Sequence, residues 1–298
     1  MAPRPDQRRA PAPDGLAFSS PGYKAVRRLL ANPATALGVA VIAVVAVMAL
    51  GASSLAPRDP AFQDYGAVFA PPGAGHLLGA DHLGRDTLSR LIYGARTSLG
   101  VGLFAQGIVV VIGVPVGAVA GFKGGRTDAA IMRFVDVMFA FPDLLLIILL
   151  RSIFGGGLPM VFLAIGLVEW TGLARLTRAQ VLAIKNQEYV GASVALGAGP
   201  PAILLRHVAP NGMGPLVVAA VFGIPRAIFA EAALSYLGIG VEPPTPSWGS
   251  MVLDGYQAIF AFPHLILAPA LAIAALTLSF TLLGDGLRDA LDPREHPG

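Results

Sequence analysis

Six apolar runs, separated by polar segments rich in glycine, proline and basic residues, constrain this chain more than anything else in it. The first, Pro33 to Leu55, carries no charged residue and is long enough to cross about 30 Å of hydrocarbon as a helix. The others are expected at Ser98 to Gly121, Phe134 to Leu150, Leu158 to Leu173, Gly212 to Ala232 and Leu265 to Leu283. The third and fourth are short against the roughly 20 residues a span needs, and are expected to extend into their flanks. The chain therefore reads as an all-α membrane protein with six transmembrane helices. Composition agrees: 55% of the 298 residues are hydrophobic and 13% charged, and the mean hydropathy of +0.68 is far above that of a soluble domain.

Charge gives the topology. The net charge of +3 and pI near 9.4 need no nucleic acid as partner, because the basic residues sit in short segments beside the spans. Lys24, Arg27 and Arg28, then Lys123, Arg126 and Arg133, then Arg175, Arg178, Lys185 and Arg206, and finally Arg288 and Arg294 fall on one side. The other side carries Arg58, Arg85, Arg90 and Arg96 in a long first loop, then Arg151, and none between Ala233 and His264. The positive-inside rule places both termini in the cytoplasm, with the first loop a partial exception. Residues 1–32 read as a cytoplasmic disordered tail and a short amphipathic helix, 33–55 as a retained first span, and 56–97 as an extracytoplasmic loop. Within that loop Leu88, Leu91 and Ile92 share a helical face, and a helix lying at the membrane interface is expected in preference to a surface for an external partner. Residues 98–284 form the five-helix core, with a polar loop at 174–211, and 285–298 a cytoplasmic tail.

Several chemistries are excluded. No cysteine is present, so disulfides, thiolate nucleophiles and iron–sulfur ligation are out. His76, His82, His207, His264 and His296 show no metal-ligand spacing. Gly121 to Gly125, GFKGG, lacks the GxxxxGK[ST] pattern that cradles phosphates, so the chain has no ATPase site of that type. No nucleophile–base constellation is visible, and no catalytic residue, cofactor site or metal site is assigned.

The features left over suggest transport. Gly113, Gly117 and Gly121 recur every fourth residue and predict a smooth helix face for close packing. Asp136, Asp143, Glu169 and Glu231 lie in or at the edges of apolar runs, where ionised groups are costly and face protein or water. Asp136, Asp143 and Glu169 are placed near the interfaces, which leaves Arg226 and Glu231 as candidates for a transport path, with structural pairing the competing role. An ion- or proton-coupled secondary carrier built on these two residues is the alternative class.

Ile184 to Asn211 is a polar island among the apolar runs. Gln187 to Ala198 has helical periodicity, with Tyr189, Ser193 and Leu196 on one face and small residues crowding the same turns. Glycine in a helix costs roughly 1 kcal/mol relative to alanine, so close approach by another surface is expected in return. Pro200 and Pro201 are expected to stop this helix.

This island resembles the coupling motif of ATP-binding-cassette importer permeases, EAA, three residues, G, and a later hydrophobic residue and proline. Gly191, Ala192 and Ser193 stand at the EAA positions, Gly197 at the glycine and Pro210 at the proline. Gly191 replaces the usual glutamate, with Glu188 three residues earlier. Gly79 to Leu99, Ala230 to Met251 and Leu282 to Arg294 look like the C-type permease subunits of dipeptide, oligopeptide and nickel importers. The resemblance implies a type I importer permease in the bacterial inner membrane, carrying dipeptides or oligopeptides. Its implied partners are a homologous permease, two cytoplasmic ATPase subunits or one fused ATPase, an extracytoplasmic substrate-binding protein and membrane lipid. It implies no cofactor in this chain, with ATP and Mg on the partner subunits. It also implies ATPase docking at Glu188, Tyr189, Gly191, Ala192, Ser193, Leu196, Gly197, Arg206 and His207. A bulky residue at Gly197 is expected to uncouple hydrolysis from uptake.

Overall fold

The computed structural model describes residues 29–291. The expected tail at 1–28 and the last residues, 292–298, lie outside that range. Among the described residues the chain is helical, with α1 at Pro33–Leu50, α2 at Thr87–Lys123, α3 at Gly125–Ala140, α4 at Asp143–Phe154 and α5 at Leu158–Lys185. Then follow α6 at Glu188–Ala195, α7 at Ala209–Tyr236, α8 at Trp248–Gln257 and α9 at His264–Leu291. Among the described residues five helices are long and apolar enough to cross a membrane, six if α3 and α4, bent by 90° to each other, count as one broken span.

Two spans differ from their sequence expectation. The interfacial helix expected around Leu88 is instead the first turns of α2, a continuous element of 37 residues and so about 55 Å at 1.5 Å per residue. Asp86 starts it: its Oδ2 accepts from the Ser89 backbone N–H at 2.8 Å and from the Ser89 hydroxyl at 2.7 Å. Its opening residues Ser89, Arg90, Ile92 and Ala95 are buried against other elements, so this stretch packs into the bundle. The expected loop at 56–97 therefore ends at Asp86. The third span breaks at Phe141–Pro142, where proline denies the helix an N–H donor.

Close backbone approach holds the bundle together. Gly113, Gly117 and Gly121 of α2 face α5 as their spacing predicts. A Cβ added at Gly117 would stand 2.2 Å from the Ala174 carbonyl oxygen. Elsewhere Val45, Leu99, Ile228, Trp248, Leu276 and Phe280 join α1, α2, α7, α8 and α9 in one core. A second core brings Val101, Ile147, Ile165 and Leu234 together from α2, α4, α5 and α7. Arg151 of α4 donates to the carbonyls of Ile239 and Gly240, tying the bent span to the segment after α7.

The described chain enters and leaves at one end of the bundle. Thr35, near the start of α1, donates to the Leu282 carbonyl of α9 at 3.5 Å, and a Cβ on Gly214 in α7 would reach Leu291. That end also carries α6. The last segment continues as helix to Leu291 where a tail from 285 was expected.

Candidate functional site

At the α6 end, the loop expected over 174–211 is mostly ordered helix. α5 runs on to Lys185, whose Nζ donates to the Phe122 carbonyl at 2.7 Å. α6 follows after a two-residue break and buries Val190, which packs at 2% exposure with Val181, Ile184, Ile203 and Val208. Sequence periodicity overlooked Val190, because attention to Tyr189, Ser193 and Leu196 selected the neighbouring face.

The residues expected to dock divide into two groups. Glu188, Tyr189, Gly191, Ala192, Leu196, Gly197 and Arg206 are exposed, and Leu196 is 90% exposed. Nothing lies within 4 Å of a Cβ added at Gly191, so its small size meets no surface of this chain. Ser193 and His207 are partly buried and bind each other. The Ser193 hydroxyl donates to the Tyr189 carbonyl at 3.0 Å, which leaves its oxygen to accept from His207 Nε2–H at 3.1 Å. The Tyr189 and His207 rings lie 5.8 Å apart. His207 thus fastens α6 to the turn at Leu204–Val208 instead of facing outward with Arg206.

Gly197 is explained by conformation. Its φ is +86°, and the amides of Gly197 and Ala198 donate back to the carbonyls of Val194 and Ser193, at 2.9 and 3.0 Å. That pattern is a Schellman motif, in which glycine takes the left-handed position. It ends α6 before the prolines are reached. Pro200 and Pro201 open the next turn, Pro200–Ile203, and do not stop α6.

In mid-bundle, a cavity of about 570 Å³ opens between α2, α5, α7 and α9, with Gln106, Glu169, Phe222, Arg226 and Thr281 among its lining residues. Arg226 is where a path residue would stand. Glu231 is not. It is 0% exposed, accepts from the Ser235 hydroxyl at 2.7 Å, and lies a helical turn beyond the cavity lining. The reason is helix geometry, since five residues on from Arg226 turns Glu231 toward the core shared with Leu234 and Ile228. Glu169, which the sequence placed near an interface, takes its place on the cavity wall. Asp136 pairs with Arg175 at 2.8 Å.

The opposite end is a network of charges. Arg85 Nε donates to Asp81 Oδ2 at 2.7 Å, and Arg85 and Arg90 both reach Asp254 Oδ2, at 3.2 and 3.1 Å. Burial lifts the Asp254 carboxyl above the ordinary aspartate range, against the opposing pull of Arg90, His82 and Arg85. Asp81, His82 and Asp254 bring ligand atoms within 4.8 Å of one another. The two guanidiniums already occupy these carboxylates, so the donor set suits ion pairing better than a metal ion. His76 Nδ1 and Asp86 Oδ1 are 2.9 Å apart beside it.

An all-helical bundle crossing the membrane several times, with a central chamber and an exposed helix at one end, defines a multi-pass membrane permease. Residues 113–296 match the family described as "Binding-protein-dependent transport system inner membrane component", and residues 20–72 match the "N-terminal TM domain of oligopeptide transport permease C". The chain belongs to the binding-protein-dependent permeases of ATP-binding-cassette importers. It is 41% identical over 270 residues to the oligopeptide transport system permease protein OppC of Bacillus subtilis (strain 168), covering 91% of this chain and 88% of that protein. It is 40% identical over 292 residues to the di/tripeptide transport system permease protein DppC of Pseudomonas aeruginosa (strain UCBPP-PA14), covering 96% of each. Among solved structures, the inward-facing MetNI methionine ABC transporter matches with a TM-score of 0.55 at 22% identity, covering 68% of this chain and 96% of that one. That likeness shows the type I importer permease fold. Members of the family are non-catalytic inner-membrane subunits, and ATP hydrolysis lies in separate partners.

Proposed function

We propose that this chain forms half of a translocation path for dipeptides or oligopeptides, beside a homologous permease subunit. In this reading an extracytoplasmic binding protein delivers the solute, and two ATPase subunits, or one fused ATPase, carry the ATP and Mg and dock on α6. This chain holds no cofactor. Both termini and α6 face the cytoplasm, supported by Lys123, Arg126, Arg178, Lys185 and Arg206 near that end. Arg85 and Arg90, the exception in the first loop, are buried in ion pairs at the other end. The peptide cargo rests on the two relatives of matching length, whose names specify oligopeptides and di/tripeptides.

The observation that carries the reading is α6 itself. It is held by Val190 and His207, yet Tyr189, Val194 and Leu196 are left uncovered, an apolar surface for a partner. Force applied there reaches α5, and the turn Leu204–Val208 that leads into α7, through the cluster around Val190. In the chamber, Arg226 and Glu169 line the path, and Glu231 is released from that role.

The test is uptake of a labelled dipeptide by proteoliposomes holding the full importer. Uptake should survive collapse of the membrane potential while ATP is maintained, and should vanish when this chain is reconstituted alone. Loss of uptake on collapse with ATP intact would favour an ion- or proton-coupled carrier.

A further inference from the structure

The chamber holds its charges apart. Arg226 lies mid-helix in α7 and Glu169 mid-helix in α5, and both line the same space. Among the described residues neither forms an ion pair, with the other or with any third group. Ionised side chains at membrane depth are costly and are found where they face protein or a water-filled cavity that serves a solute. A merely structural pair would close into contact, as Asp136 and Arg175 do at 2.8 Å. These two stand on different helices, beyond ion-pair distance of each other. The same lining includes uncharged hydrogen-bonding groups, Gln106 and Thr281, and apolar surface from Leu176 and Phe222.

We propose that the chamber selects zwitterions, Arg226 facing the carboxylate of the solute and Glu169 its ammonium group. A short peptide fits this chemistry. Its terminal charges are separated by a few bonds along a chain that advances about 3.8 Å per Cα. Its amides can use the Gln106 and Thr281 side chains, and its side chains can rest on the apolar wall. A solute with one charge would leave one charged group of the chamber unmatched. The cavity of about 570 Å³ is within the range of small-molecule sites. This inference rests on the reading of the chamber as the path.

The test uses the assembled importer without nucleotide and without binding protein, so that only the chamber selects. Equilibrium binding is measured for dialanine, dialanine amide and N-acetyl-dialanine. Arg226→Gln should weaken dialanine by roughly tenfold and leave the amide unchanged, because the amide has no carboxylate to lose. Glu169→Gln should weaken dialanine similarly and leave the N-acetyl compound unchanged. Arg226→Lys and Glu169→Asp, which keep the charge, should retain the wild-type ranking. Equal weakening of all three probes, unchanged dialanine binding, or no saturable dialanine binding in the wild type would overturn the proposal. The path itself is tested separately by Gly172→Cys, at a chamber position with open space beyond its backbone in a chain without cysteine. With cysteine-free partners, a bulky maleimide there should block uptake. If it blocks while the charge variants do not discriminate, zwitterion selection falls and the path reading stands. If uptake continues with the site fully labelled, both fall.

Discussion

The two ends of this bundle are built on opposite principles. At one end Asp81, Arg85, Arg90 and Asp254 lock the loop before α2 to α8 through shared guanidinium bonds. At the other, α6 rests on Val190 and one hydroxyl–imidazole bond. A buried charge network tolerates little displacement, since separating its members leaves desolvated charge unpaired. A short helix on a small apolar seat shifts at much lower cost. The difference suits a subunit that is gripped and moved at one end while the other keeps its shape.

The contrast can be broken from either side. The largest effect is expected for Asp254→Asn, which takes the shared negative charge from Arg85 and Arg90. It should destabilise the permease by about 2 to 3 kcal/mol, less than the full cost of breaking a buried pair, because the Asp254 side chain is 25% exposed. SDS titration of the purified subunit measures this. Val190→Ala should come next, costing about 1 to 2 kcal/mol locally for the apolar volume removed from the seat. Its signature is a lower ratio of dipeptide taken up to ATP hydrolysed, with the unfolding of the main bundle barely moved. Gly197→Ala should cost about 1 kcal/mol, the penalty of a Cβ in left-handed backbone. Gly197→Asn should recover part of that loss, because asparagine tolerates this conformation. If Gly197→Ala couples normally and melts like the wild type, the Schellman ending is not what the glycine is there for.

Much of this was legible in the chain itself, and the failures share a cause. Apolar runs marked each crossing, and the glycines at 113, 117 and 121 marked the α2–α5 seam, because both depend on local spacing. The first turns of α2 were misplaced as an interfacial helix because their polar residues are satisfied far away. Arg90 meets Asp254 at a sequence separation of 164, which no window of periodicity contains. Glu231 looked like a path residue for its charge alone, although Ser235 one turn on already marked a local partner. Glu169 was discounted for its position near the end of an apolar run, whereas the helix that carries it continues to Lys185. In the α6 region, the exposed residues were found from the motif, while Val190 and the inward role of His207 depend on packing with the turn at Leu204–Val208.

The account turns on which end of the subunit meets the ATPases. In the cysteine-free chain, Leu196→Cys on the α6 end and Tyr256→Cys on α8 place single thiols on exposed positions at opposite ends. With a short bifunctional maleimide in the assembled importer, Leu196→Cys should cross-link to an ATPase subunit and Tyr256→Cys should not. Cross-linking of the ATPase through Tyr256→Cys, with none through Leu196→Cys, would contradict the account.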